Sequence, residues 1–205
     1  MKHPLVLIFY NRPKSLNRLL NNIKKYNFKK IYFISDGPKN NKDIKLVNKC
    51  RKKINNFNFK CNIYKKFSDK NLGLKKNIIN GLNWVLEKEK TAIILEDDCI
   101  PSTEFFIFMN TMLKKFKNNN NISSICGTNH LSSWKKNSNS YIISKHFHSW
   151  GWATWRNRWV NADLDAYKLI KKTNKNKMIN YLGSLRAYFY WSLILKRIEK
   201  NKIDS

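Results

Sequence analysis

The chain has 205 residues, 42% of them hydrophobic, with 41 Lys and Arg against 13 Asp and Glu, a formal net charge of +28. This length and apolar content exclude a disordered chain and predict one globular domain over residues 1–205. The four cysteines, Cys50, Cys61, Cys99 and Cys126, are widely spaced without a Cys-x-x-Cys pair. Neither a zinc site nor a disulfide framework is therefore predicted, and we expect a reducing, cytoplasmic setting.

The positive charge first suggests a nucleic-acid partner. The lysines, however, are spread through every segment instead of forming one basic stripe, so we expect a mostly solvated lysine surface. Attraction to phosphate-bearing ligands or to an anionic membrane stays open, as a peripheral contact at the inner face of the cytoplasmic membrane. No nucleic-acid partner is expected, and binding to random duplex DNA should be weak and steeply salt-dependent.

Strands and helices are predicted to alternate along the chain. Residues 4–10, PLVLIFY, are too short to span a membrane and are typical of a buried strand; an amphipathic helix follows. Residues 31–34 form a second strand that ends in SDG, and a second helix follows it. FKCNIY, residues 59–64, alternates as a partly exposed strand does. The helical apolar positions are Leu16, Leu19, Leu20 and Ile23 in the first helix and Ile44, Val47 and Ile54 in the second.

A third helix is predicted where apolar residues recur over 74–86, and TAIIL, residues 91–95, is a fully apolar strand. Three acids follow, and a helix then begins near Pro101 and Ser102 with Glu104 in its first turn. This alternation predicts an α/β fold with a mostly parallel sheet and helices on both faces.

The segments FYNRP, ISDGP and LEDDC each follow a predicted strand. Ligands of open α/β sheets bind at the carboxyl ends of the strands, so we expect the three segments to converge. The adjacent carboxylates of Glu96, Asp97 and Asp98 repel one another unless a cation lies among them, and hard oxygen ligands suit Mg²⁺ or Mn²⁺ bridging to phosphate. The alternative is a solvated turn that caps the next helix.

Three longer segments carry a family resemblance: NLGLKKNIINGLNWVL, IILEDDCIPSTEFFIFM and SWGWATWRNRW. Together they resemble nucleotide-diphospho-sugar transferases of the GT-A (Rossmann-like) fold, and most of all bacterial sugar transferases related to animal N-acetylglucosaminyltransferase I. The resemblance runs from Pro4 to about Trp159. Glu-Asp-Asp stands where that family has its Asp-x-Asp-type (DxD-like) motif, which implies Asp98 as the ligand of Mn²⁺ or Mg²⁺ and Asp97 and Glu96 as partners of ribose or donor-sugar hydroxyls.

The resemblance also implies other donor-binding residues. Asn11 and Arg12 would line the nucleotide pocket, and Asp36 would accept a hydrogen bond from the base or ribose. The alternative for Asp36 is an ordinary turn before Gly37. Gly73 would allow a close backbone approach, and Lys76 or its neighbour Lys75 would meet the diphosphate at a helix start.

Aromatic residues and the general base complete the predicted site. Trp150, Gly151 and Trp152 are candidates for an apolar platform under a sugar ring; we favour Trp152 for that role and packing roles for the other tryptophans. The family takes its catalytic base from a Trp-Asp motif, which this chain lacks. Asp204 is the predicted base, with Asp163 and Asp165 as substitutes and a base beyond residue 205 as the alternative, whereas His146 and His148 are expected to be structural.

The helix predicted over residues 186–202 ends close to the end of the chain. We therefore expect a domain that is truncated at its C-terminus, or one that binds donor and metal without efficient transfer.

The sequence predicts a metal-dependent glycosyltransferase that moves a hexosyl or N-acetylhexosaminyl group from a nucleotide-sugar donor to a hydroxyl of a glycan or lipid-linked acceptor. Bacterial surface polysaccharide or lipopolysaccharide synthesis is the expected setting. One alternative is a sugar-phosphate nucleotidyltransferase, but the loop YNRPKS after the first strand has no glycine. The other is a basic, non-enzymatic binding module.

Overall fold

A computed structural model describes residues 1–129, 140–162 and 174–199. The chain divides into two compact units, Met1–Val160 and Asn161–Ser205. In the second unit, the described helices are Lys175–Leu182, which starts at the capping side chain of Asn174, and Leu185–Glu199. The sheet belongs entirely to the first unit. The single domain over 1–205 and its truncation stay predictions.

The first unit is built on one six-stranded sheet. In spatial order the strands are β3-β2-β1-β4-β6-β5; the first four are parallel, and β6 runs antiparallel to both β4 and β5. The mostly parallel α/β sheet is thereby confirmed. The strands are β1 (Leu5–Phe9), β2 (Lys30–Ser35), β3 (Asn62–Phe67), β4 (Thr91–Glu96), β5 (Ser124–Cys126) and β6 (Trp152–Trp155).

The four long helices predicted in this unit are confirmed. Their starts follow ordinary capping chemistry, because Pro13 takes the first position of one helix, and Asn40 and Ser102 cap two others with their side chains. The helices are α1 (Pro13–Ile23), α2 (Asn41–Asn56), α3 (Leu74–Leu86), α4 (Thr103–Lys115) and the short α5 (Arg156–Val160).

Strand β1 is buried on both faces of the sheet. Leu5, Leu7 and Phe9 join a core cluster that includes α1, α2 and α4, whereas Val6 and Ile8 join a second cluster that includes α3. The period of two along a strand explains this division. Since β1 has no side chain left for solvent, any binding surface near it must lie at its ends.

The carboxyl ends of β1, β2 and β4 lie side by side. Phe9 pairs with Ser35, and Ile8 pairs with Glu96, so the residues after β1 emerge between those after β2 and those after β4. The order of connection reverses between β1 and β4, which is where open α/β sheets bind ligands. The predicted convergence of the strand ends is confirmed.

Arg158, in the short helix α5 that follows β6, ties this segment to the end of α4. Its Nη2 donates to the carbonyl oxygens of Phe116 (3.1 Å) and Lys117 (2.7 Å), just beyond the C-terminus of α4. Its guanidinium also stacks over the ring of Trp155 at 4.3 Å. A cation at this end of a helix meets carbonyl groups that have no partner within the helix.

We expect Arg158→Met to lower the free energy of unfolding by about 1–3 kcal/mol, because it removes two charged hydrogen bonds to carbonyls while keeping the length of the side chain. Urea denaturation measures the change. The control is Arg18→Met, at an exposed position of α1, which should change stability by less than about 0.5 kcal/mol. Equal stabilities of the two variants would contradict the role given to Arg158.

Candidate functional site

The acidic triplet forms the turn that ends β4. The backbone N–H of Cys99 donates to the carbonyl of Glu96 at 3.1 Å and closes the turn. The side chain of Asp97 is only 7% exposed, and its Oδ2 accepts from the backbone N–H of Tyr10 at 3.3 Å. The side chain of Asp98 is 42% exposed. Asp97 therefore joins β4 to the end of β1, while Asp98 presents its carboxylate to solvent.

Arg12 brings one positive charge to these acids. Its Nη1 lies 2.8 Å from Asp98 Oδ2 and 3.4 Å from Asp97 Oδ1, and its side chain is 59% exposed. Predicted site residues from two strand ends, those of β1 and β4, thus meet in one cluster. The guanidinium belongs to the residue that precedes α1, whose backbone is set by Pro13 at the first helical position.

Glu96 and Asp97 are destabilised as anions. Burial raises the pKa of Glu96, and the charges of Asp98 and Asp97 raise it further, while Arg12 opposes the shift. Burial likewise raises the pKa of Asp97 against the N–H of Tyr10 and the charge of Arg12. Shifts of this origin at a strand end are typical of functional sites. A further cation here would relieve the repulsion.

Asp36 is buried at the end of β2 and anchors the loop before α3. Its Oδ1 accepts from the backbone N–H groups of Gly37 (2.8 Å) and Leu72 (2.8 Å), and its Oδ2 from Asn71 Nδ2 (3.1 Å) and the N–H of Gly73 (3.0 Å). A carboxylate offers about four acceptor positions. All four are used here, so this structure leaves none for the predicted bond from a base or ribose.

Arg51, which sequence reasoning missed, fastens the same loop from α2. Its Nη2 donates to the carbonyls of Asp36 (3.0 Å) and Ser68 (2.7 Å). A methyl group on Gly37 would lie 2.4 Å from the carbonyl carbon of Lys70, so the loop packs directly on the backbone there. No local pattern marks Arg51 among the many basic residues of the chain.

The other predicted donor residues surround this loop and the end of β1. Asn11 donates to Asp43 Oδ1 at 2.7 Å, and the hydroxyl of Tyr10 donates to Asp43 Oδ2 at 3.0 Å. Gly73 precedes α3 with a φ of +80°, and Lys76 is exposed in the first turn of that helix. Asn11 is therefore already paired within the protein, to an acid that sequence reasoning did not single out.

A cavity of about 470 Å³ lies beside Asp98. The ring of Phe105 packs tightly against two glycines, since a methyl group would lie 2.4 Å from that ring at Gly127 and 2.8 Å from it at Gly151. Gly151 also has a φ of +71°, which disfavours any other residue. The lining residues are Leu95, Asp98, Cys99, Ile100, Pro101, Ser102, Phe105, Gly127, Thr128, Trp150 and Gly151.

The structure corrects the choice of tryptophan. Trp152 lies in β6, is 8% exposed and packs between Phe147 and Trp159, at ring distances of 5.0 and 6.2 Å. Trp150 lines the cavity and is 61% exposed. Trp155 is buried in the core, in agreement with its predicted packing role. The segment is a strand that is buried along its whole length, so the side chain of Trp152 packs in the core.

The residues present fit a metal ion that is shared with a ligand. No group of three His, Cys, Asp or Glu side chains that could hold a metal is found within the described residues. In the part of the chain that the structure describes, Asp98 Oδ1 accepts only a long hydrogen bond, of 3.9 Å, from the thiol of Cys99. Mg²⁺ is commonly bound by one or two carboxylates together with substrate phosphates. Asp98 would supply one such carboxylate. The predicted base, Asp204, and its substitutes Asp163 and Asp165 lie outside the described residues.

We expect Glu96→Gln to stabilise the metal-free protein at pH 7 by about 0.5–2 kcal/mol, measured by urea denaturation. A carboxyl group whose pKa is raised on folding binds its proton more tightly in the folded state. Ionisation of Glu96 therefore lowers the free energy of unfolding as the pH rises from 4.5, the ordinary pKa of the group, through its raised pKa in the folded protein. The gain should shrink as the pH falls below about 4.5. The control is the exposed Glu87→Gln, and a Glu96→Gln variant that is no more stable than this control would refute the interpretation.

Asp36→Asn should destabilise the protein by about 1–3 kcal/mol and speed amide hydrogen exchange at Leu72 and Gly73. The amide has one acceptor oxygen, and its NH₂ group would face N–H donors. Asp69→Asn, at an exposed position of the same loop, is the matched control. Unchanged exchange in the Asp36 variant would show that the carboxylate does not anchor the loop.

The family model for glycosyl transferase family 2 matches residues 5–190. None of the curated protein sequences shows a significant match. The finer resemblance, to relatives of N-acetylglucosaminyltransferase I, stays a prediction.

Several solved structures show a similar arrangement at low identity. S. aureus TarS 1-349 is 18% identical with a TM-score of 0.41, over 57% of this chain and 33% of that one. A cytidylyltransferase from Leptospira borgpetersenii is 11% identical with a TM-score of 0.45, over 85% and 66%. The CMP:2-keto-3-deoxy-manno-octonic acid synthetase is 9% identical with a TM-score of 0.44, over 99% and 88%. The chain spans about a third of the TarS fragment. The family match covers most of the chain, which therefore belongs to glycosyl transferase family 2.

Proposed function

We propose that this glycosyltransferase uses a divalent cation, Mn²⁺ or Mg²⁺, held by Asp98, to transfer a sugar from a nucleoside-diphosphate donor. The observation that carries the proposal is the position of Asp98. It is the exposed acid of a triplet that ends a buried strand, beside the switch point of the sheet and at the wall of a cavity. Family membership supports a nucleotide-sugar donor and an acceptor as the two substrates.

The diphosphate would lie over Asp98 and the guanidinium of Arg12. When bound, the cation would neutralise negative charge on the leaving diphosphate. Asp97 is fixed by the N–H of Tyr10, so we propose that it orients the turn and Arg12. Glu96 sits next to it with a raised pKa and would hold a donor hydroxyl.

The cavity beside Asp98 would hold the transferred sugar or the acceptor. Its size is within the range of small-molecule sites. Trp150 and Phe105 are the aromatic residues of its lining and would pack against a sugar ring, and the same lining includes the polar residues Ser102 and Thr128. We propose Trp150 for the platform role that sequence reasoning gave to Trp152.

The transfer breaks the bond between the anomeric carbon and the diphosphate oxygen and forms a bond from that carbon to the acceptor oxygen. The bonding electrons leave with the nucleoside diphosphate, and the acceptor hydroxyl gives its proton to a base. Asp204 remains our proposal for that base, with Asp163 or Asp165 as substitutes. General-base assistance is typically worth about 10²–10⁴ in rate.

The finer assignments rest on the family resemblance. We propose a hexosyl or N-acetylhexosaminyl group as the sugar, a glycan or lipid-linked hydroxyl as the acceptor, and bacterial surface polysaccharide or lipopolysaccharide synthesis as the setting. None of the described helices combines the length and the apolar character that a membrane span requires. Peripheral contact with an anionic membrane stays a prediction.

We expect Mn²⁺ together with the correct nucleotide sugar to raise the melting temperature in a thermal-shift screen, whereas Asp98→Asn should abolish the metal-dependent part of the shift. The variant removes the charge of an exposed carboxylate, so the fold should persist, as checked by circular dichroism. Asp69→Asn is the control and should behave like the parent. If Asp98→Asn binds Mn²⁺ and nucleotide sugar as tightly as the parent in calorimetry, Asp98 is not the metal ligand.

A further inference from the structure

Arg12 is attached to the acids through one nitrogen. Nη1 makes both contacts, to Asp98 and Asp97, whereas no hydrogen bond is recorded within the described residues for Nε or Nη2. The backbone is fixed, because the carbonyl of Arg12 accepts from Leu16 N at 3.0 Å and Pro13 follows at the first helical position. The long, exposed side chain can therefore change partners while its Cα stays in place.

We infer that Arg12 couples metal binding to donor binding: it occupies Asp98 when the site is empty and passes to the donor's diphosphate when metal and donor arrive together. This inference rests on the proposed function, since it takes Asp98 as the metal ligand.

A divalent cation on Asp98 competes directly with the guanidinium. Arg12 Nη1 is 2.8 Å from Asp98 Oδ2, so a cation that uses this oxygen would lie against the guanidinium and be repelled by it. A cation on Asp98 Oδ1 would still lie close to the positive charge of Arg12, and the neighbouring carboxylates offset that repulsion only in part. Arg12 therefore opposes the binding of metal alone.

The diphosphate reverses this balance. It adds negative charge next to the cation, and the guanidinium offers Nε and Nη2 in the planar fork that matches phosphate oxygens. The weaker contact to Asp97, at 3.4 Å, would keep the side chain near the acids while it leaves Asp98. Arg12 therefore favours metal and diphosphate bound together over metal bound alone. Since such coupling is reciprocal, each ligand should strengthen the binding of the other.

The experiment measures two affinities in the full chain. Mn²⁺ alone is titrated and followed by electron paramagnetic resonance of free Mn²⁺. Inorganic pyrophosphate, a diphosphate that needs no knowledge of the base or sugar, is then measured by equilibrium dialysis at a fixed Mn²⁺ concentration. The variants are Arg12→Gln, which removes the charge, and Arg12→Lys, which keeps the charge but loses the fork. Arg18→Gln, an exposed arginine of α1, is the matched control.

We expect Arg12→Gln to bind Mn²⁺ alone about tenfold more tightly than the parent and pyrophosphate with Mn²⁺ about tenfold more weakly, in the range usual for coupled sites. Arg12→Lys should bind Mn²⁺ alone like the parent and pyrophosphate more weakly, and Arg18→Gln should change neither affinity. Opposite signs for the two ligands are the diagnostic result, because a merely structural defect would weaken both.

An Arg12→Gln variant with parental affinity for Mn²⁺ alone, or with both affinities weakened, overturns the inference. Asp98→Asn, included in the same titrations, separates this outcome from failure of the proposed function. If Asp98→Asn loses Mn²⁺ while Arg12→Gln shows no gain, only the role of Arg12 falls. If Asp98→Asn keeps Mn²⁺, the metal assignment and the inference fall together.

Discussion

The pairing of β1 with β4 is the constraint on which the candidate site depends. Both strands are buried in the middle of the sheet, and their register sets Ile8 opposite Glu96. Only in that register can the N–H of Tyr10 reach Asp97, and only then does Arg12 emerge above Asp98. A slip by one residue would exchange the side chains of β1 between the two core clusters and disrupt the packing of both, so core packing also fixes the geometry of the acids.

The site concentrates negative charge in a protein with a net charge of +28. Acids placed together in a half-buried turn cost stability, and the structure compensates for this with one guanidinium and one backbone N–H. A cation that binds during function would relieve the repulsion between the carboxylates, and this relief would add to its binding free energy. The basic surface is consistent with anionic substrates, because it favours the approach of phosphate-bearing molecules over long distances.

The end of β2 shows how a plausible site residue can serve the fold instead. Asp36 follows a buried strand as the acidic triplet does, and from the sequence it was a candidate for binding the base or ribose, with an ordinary turn as the alternative. In the structure its carboxylate accepts from the N–H groups of Leu72 and Gly73, just before α3, and so occupies an anion-binding position at the start of that helix. The loop it anchors, further fastened by Arg51, borders the same edge of the sheet. Its indirect contribution to ligand binding would be to keep that edge rigid.

The sequence by itself determined the alternation of strands and helices and the position of the acids after a strand. These depend on local periods of apolar residues and on capping side chains, which a single segment carries. The sequence did not predict the short strands β5 and β6. Pairing with β4 makes the Trp152–Trp155 segment a strand and turns Trp152 inward, and β5 in turn pairs with β6. The tertiary structure alone also decided which polar side chains meet: Asn11 with Asp43, Asp36 with residues 71–73, and Arg12 with Asp97 and Asp98. These contacts join residues more than thirty positions apart, and no local pattern encodes such a distance.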